Sequence, residues 1–194
     1  MEISRVMIYG LEESIRAAKL PMSTIADDLT DDLTSGIKRI AQAPIGSGHD
    51  NWLNGVVVQF DLRASLKFWP QLQRYHFIDF VSSQSTMHRA TKFDPQRQCN
   101  EYVTEMALDN LNALVAEYNL QPTEENYLKV LYNIPSGFEI TARLTTNYRQ
   151  LKTIYAQRRK HRLPEWREFC SWIKTLPHAE LITGNNSNAG TKQH

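Results

Sequence analysis

GFEITARLTTNYRQLKTIYAQRR, residues 137–159, reads as a strand running straight into a helix, and the fold class turns on this junction. Residues 137–146 are rich in β-branched types, as a strand requires. From residue 148 onward Tyr148, Leu151, Ile154 and Tyr155 fall at helical spacing and share one apolar face. Asn147 stands between the two periods, where its side chain suits an N-cap. Arg149 sits in the first helical turn, where a cation opposes the macrodipole, so a role other than helix stability is indicated. Arg158 follows nine residues on. The composition also allows a plain reading of both arginines as surface residues of a stable helix.

Working outward, EISRVMIY (2–9) reads as a strand closed by Gly10, and LEESIRAAKL (11–20) as a helix stopped by Pro21. STIADDLTDDLTSGIKRIAQ (23–42) spaces Ile25, Leu29, Leu33, Ile37 and Ile40 as an amphipathic helix with an acidic first half. Its aspartates, Asp27, Asp28, Asp31 and Asp32, read as a solvated acidic face rather than a metal cluster. LNGVVVQFDLR (53–63) is the clearest strand signal, and SLKFWPQLQRYHF (65–77) reads as a helix limited by Pro70. Helices are expected over 99–120, with apolar positions Val103, Met106, Leu111, Leu114 and Val115, and over 123–134, with Thr123 as N-cap. Another is expected over 163–176, with Pro164 at its start. Strands interspersed with helices predict an α+β domain, an antiparallel or mixed sheet with packed helices. The expected boundaries are one domain over 1–177 and a polar, disordered tail over 178–194.

The bulk numbers exclude several classes. The chain has 194 residues, 22% charged, and a formal charge of +1, so no global field draws it to nucleic acid or an anionic membrane. Runs such as VMIY and GVVVQF are too short to span a bilayer. The opening MEISRVMIYG lacks a signal-peptide pattern, and Cys99 and Cys170 have no metal or redox spacing. The expected location is the cytoplasm. Nucleophile elbow, Walker loop, dinucleotide fingerprint and zinc-protease motifs are all missing. An enzyme that borrows reactivity from a bound cofactor fits this inventory better than a hydrolase.

Polar side chains concentrate in three places: the loop GSGHDN around His49, the run QLQRYHFIDFVSSQST (71–86), and the junction at 147–158. Taken in order, they resemble the flavin-dependent thymidylate synthases. In that family a Gly-His loop precedes a strand, a helix ends in Arg-His-Arg with a serine beyond, and a Pro-led strand runs into an Asn-x-Arg helix. Here Gly48-His49, then Gln71 and Arg74, then Pro135, Asn147, Arg149, Leu151 and Arg158 match that pattern. The departures are local. Arg74-Tyr75-His76 stands for Arg-His-Arg, Gln84 for the serine, Thr86-Met87 for a closing Arg-Tyr, Thr153 for an asparagine, and Leu131 for an arginine.

The resemblance implies FAD as cofactor, with methylenetetrahydrofolate and NADPH as co-substrates and a pyrimidine nucleotide, dUMP or a related uracil or cytosine nucleotide, methylated at C5. It implies catalytic roles for His49, Arg74 and Arg158, and flavin contacts from Asn51, Arg74, His76, Asn147, Arg149 and Thr153. Gln71, Ser82, Ser83, Gln84, Ser85 and Arg158 would face the nucleotide. It also implies a homotetramer, with no role for a membrane. Two other classes are compatible with the sequence. One is a flavin-binding homologue that no longer catalyses. The other is single-strand nucleic-acid binding through the eight Lys/Arg of residues 143–167, disfavoured because the helix register buries the interleaved tyrosines.

Overall fold

The computed structural model describes residues 1–184. Four strands form one sheet in the order β1-β2-β4-β3: β1 (Glu2–Tyr9), β2 (Val57–Ser65), β3 (Ile78–Ser83) and β4 (Glu139–Asn147). Leu66 pairs with Phe138, and Tyr148 with Val56, so the register of β2 against β4 runs in opposite senses, as in an antiparallel sheet. The described residues divide into two compact units, Met1–Ser4 with Asp61–His76 and Phe80–Leu144, and Arg5–Phe60 with Phe77–Asp79 and Thr145 onward.

The first unit holds the short helices α3 (Trp69–Leu72), α4 (Thr86–Arg89) and α5 (Pro95–Gln98), and the longer α6 (Glu105–Leu120) and α7 (Glu124–Tyr132). Leu111, Val130, Phe138 and Ala90 form its core, with Leu114, Val115, Tyr118, Tyr127 and Ile140 packed around them. Thr104 and Thr123 cap α6 and α7 through their hydroxyls. The Thr123 cap agrees with the sequence reading. The helix expected over 65–77 is only the four residues of α3, where Pro70 occupies the first turn and the chain then leaves for β3.

The second unit carries α1 (Leu11–Ala17), α2 (Ser35–Ala41), a 3-10 turn at Asn51–Gly55, α8 (Tyr148–Arg158), α9 (Pro164–Ile173) and α10 (Glu180–Thr183). Its core combines aliphatic residues such as Leu53, Val58, Leu151 and Ile154 with aromatic rings. Phe60, Phe169 and Trp172 stand at ring separations of 4.6 to 6.0 Å, and Trp166 meets Phe169 edge-on. The helix expected over 23–42 exists only as α2, because residues 23–34 are held by local side-chain bonds that compete with helix. Ser23 Oγ bridges both backbone groups of Ile25, and Thr30 donates to Asp32. Ile25, expected on the buried face, is 59% exposed. The expected tail boundary at 177 is also too early, since α10 buries Leu181 and Ile182; residues 185–194 lie outside the described part. Among the described residues no helix is long and apolar enough to cross a membrane.

Gly10 links β1 to α1 with φ of 71°, and a Cβ there would stand 2.7 Å from the Gly55 carbonyl oxygen. Gly46 has φ of 92° but open space around it. Gly10→Ala should therefore cost more than the ~1–2 kcal/mol of a left-handed residue alone, and Gly46→Ala no more than that. Urea unfolding midpoints of the two variants check the difference.

Candidate functional site

In the second unit the loop before β2 turns at two positive-φ glycines, Gly46 and Gly48, and places His49 and Asn51 at the surface. Asp50 between them is fully buried. Its carboxylate meets two cations from α8, Arg149 through Nε at 3.1 Å and Lys152 through Nζ at 2.6 Å, one on each oxygen. Lys152 Nζ also donates to the carbonyls of Ala41 at 2.8 Å and Ala43 at 2.6 Å. These three acceptors saturate the ammonium. One lysine thus ties the end of α2, the loop that follows and α8 together. The loop bearing His49 and Asn51 is fastened to the first turn of the helix in the same way.

Asn147 caps α8 by accepting from Gln150 N at 2.8 Å, which leaves its amide nitrogen for another acceptor. Arg149 is 30% exposed at its side chain; with Nε held by Asp50, its terminal nitrogens have no hydrogen-bond partner among the described residues. Thr153 lies one turn further along the same face, its hydroxyl bonded back to the Arg149 carbonyl at 3.2 Å. Nine residues of α-helix turn through about 180° beyond whole turns, so Arg158 faces away from Arg149. Its guanidinium lies 4.8 Å from the Trp166 ring centroid, a cation–π contact within the unit. The structure therefore sets Arg149 and Thr153 on the face of α8 that meets the loop carrying His49 and Asn51, leaves Asn147 at the helix start, and turns Arg158 to another face. Trp52 Nε1, next to Asn51, is buried with no hydrogen-bond partner among the described residues.

The first unit carries the other expected residues. Gln71 lies on α3, and Arg74 and His76 follow it at the surface. Arg74 makes no ion pair among the described residues. The run from Ser82 to Ser85, expected to face the nucleotide, begins as the end of strand β3, with Ser82 and Ser83 exposed. Successive strand residues face opposite sides, so one ligand group meets at most one of the two. Gln84 extends the pairing with β4. Its N–H donates to the Thr141 carbonyl at 2.9 Å, and its side-chain oxygen accepts from Thr141 N at 2.9 Å. Ser85 stands at the head of α4 without capping it.

Sequence reasoning missed Asp50 and Lys152. A single acid in a glycine loop gives no periodic signal, and a lysine between helical apolar positions reads as solvated. Neither cysteine is poised as a nucleophile: burial pushes Cys170 up to about 11, and burial followed by the nearby Glu139 raises Cys99. Among the described residues no cluster of histidine, cysteine and carboxylates is placed to hold a metal ion.

No protein-family model matches the sequence, and no curated protein does. Solved structures do match the fold. Two structures of flavin-dependent thymidylate synthase X from Helicobacter pylori, each with FAD and dUMP, superpose with TM-scores of 0.72 and 0.73. They are 16% identical over 94% of this chain and 97% of theirs. A UMP/dUMP methylase, PolB, from Streptomyces cacaoi with 5-Br dUMP matches at TM-score 0.62 and 17% identity, over 94% of this chain and 95% of that one. The chain has the fold of the flavin-dependent thymidylate synthases, the architecture that the sequence resemblance implies.

Asn147→Ala removes the α8 cap and should cost about 1 kcal/mol of stability, with Asn147→Asp costing less. Thermal unfolding of the two variants measures the difference.

Proposed function

We propose that the protein methylates a pyrimidine nucleotide at C5, dUMP or a related uracil or cytosine nucleotide, with the help of bound FAD. The observation that carries this reading is a fold likeness over nearly the whole chain to proteins crystallised with FAD and dUMP. The residues of the second unit fit an oxygen-rich, anionic cofactor. Arg149 presents the distal end of its guanidinium, Asn147 keeps an amide nitrogen, and Trp52 Nε1 is a buried donor that has no protein acceptor among the described residues. All three offer N–H groups, the complement of carbonyl and phosphate oxygens.

Asn147 and Arg149 would hold the flavin, with Asn51, Thr153 and the exposed His49 beside them. When bound and reduced, the flavin supplies a hydride. Arg74 and His76 would keep the flavin roles that the resemblance implies, and Gln71, either Ser82 or Ser83, Ser85, Arg158 and the amide nitrogen of Gln84, whose oxygen is bonded to β4, the nucleotide roles. The protein's contribution is to hold an anionic nucleotide in attack geometry and stabilise developing charge. Methylenetetrahydrofolate as carbon donor, NADPH as reductant, a homotetramer and a cytoplasmic setting belong to the same proposal. A second reading, a flavin-binding homologue without catalysis, is favoured by Gln84. Its side-chain oxygen is bonded to the β4 backbone, where the resembling family has a serine.

The purified protein should retain oxidised-flavin absorbance bands through gel filtration after FAD is added. Arg149→Ala should weaken that binding about tenfold or more, the loss of a charge-assisted contact. A colourless wild-type protein that takes up no FAD would rule out both readings. Bound FAD without release of the C5 hydrogen from dUMP, UMP or a cytosine nucleotide selects the non-catalytic one.

A further inference from the structure

We propose that Asp50 is a positioning residue for flavin binding, acting through Arg149; this rests on the flavin reading above and adds the residue that aims it. An arginine side chain has several rotatable bonds, and fixing it on binding carries an entropic cost. In this protein that freedom is already removed. Asp50 Oδ1 takes the Nε edge of Arg149 at 3.1 Å, so the guanidinium plane is set by a group with no access to water. Asp50 is fixed in turn. Lys152 holds Oδ2 at 2.6 Å, and Lys152 is itself anchored on the Ala41 and Ala43 carbonyls.

The charges of the cluster point the same way. One carboxylate faces two cations, which leaves a net positive charge. Lys152 has no donor left, and its side chain is 10% exposed. The uncompensated charge is therefore presented through the terminal nitrogens of Arg149, the half-exposed member. These two nitrogens lie at the edge of the guanidinium away from Nε, a fork suited to a phosphate or carbonyl oxygen. Asp50 thus prepays the ordering of the donor that meets the ligand, and is not itself in contact with it.

The test has two arms. The first needs no cofactor. In nitrogen-15-labelled protein, the Arg149 Nε–Hε cross-peak, identified by its loss in Arg149→Lys, should exchange slowly with water and should vanish or exchange rapidly in Asp50→Asn. The second is an FAD titration followed by flavin fluorescence. Asp50→Asn should weaken FAD about tenfold in the wild-type background and less than about twofold when Arg149 is already alanine, because one contact cannot be lost twice. A cross-peak indifferent to Asp50→Asn overturns the proposal, as does an equal loss of affinity in both backgrounds. Should Asp50→Asn fail to fold, Arg149→Lys decides. It keeps the charge but not the Nε edge, so FAD should weaken about tenfold, and undiminished affinity overturns the proposal. Wild-type protein that takes up no FAD overturns the flavin reading itself. Uncoupled effects with FAD still bound overturn the positioning role alone.

Discussion

A carboxylate sealed from water is the constraint on which the second unit turns. Asp50 cannot be hydrated, so its burial is tolerable only while Arg149 and Lys152 stand against it. Removing one partner from such a buried arrangement typically costs about 3–5 kcal/mol. That requirement fixes the start of α8 relative to the glycine loop, and through the Ala41 and Ala43 carbonyls it fixes the end of α2. The rings of Phe60, Trp166, Phe169 and Trp172 and the buried aliphatic residues Leu53, Val58, Leu151 and Ile154 belong to the same unit. Apolar burial is non-directional. It is the ionic cluster that specifies which turn of α8 faces the loop.

The junction at residues 137–159 was legible because strand period, helix period and cap all agree there. Asn147 caps the helix as its position implied, and Tyr148, Leu151, Ile154 and Tyr155 are buried. Agreement between local levels is what makes such a segment readable. Residues 23–34 misled because apolar spacing alone was helical, while serine, threonine and aspartate side chains bonded to their own surroundings instead. The strand β3 was hidden for another reason. Five of its six residues are exposed, so no burial period marks it. Asp50 and Lys152 were invisible because their partners lie far away in sequence, and a charge pair of that separation leaves no local pattern.

At 16–17% identity the matching solved structures share an architecture with this chain and few side chains. The two units depart differently from the family pattern. In the second, the positions matched at 147, 149 and 151 carry the family's residue types, and Arg149 has a dedicated anchor. In the first, a glutamine in place of the expected serine uses its amide as a surrogate for backbone, continuing the sheet one residue beyond β3. The amide oxygen of Gln84 is thereby committed to the sheet.

Lys152 lies 102 residues beyond Asp50 in the chain. A ribosome adding roughly 5–20 residues per second leaves about 5–20 s between the two. Throughout that interval the nascent Asp50 has no helix to meet, while residues 80–144, most of the first unit, emerge in full. The loop that carries Asp50 waits for the first turns of α8, and a pause or truncation before residue 152 would leave that carboxylate without its lysine.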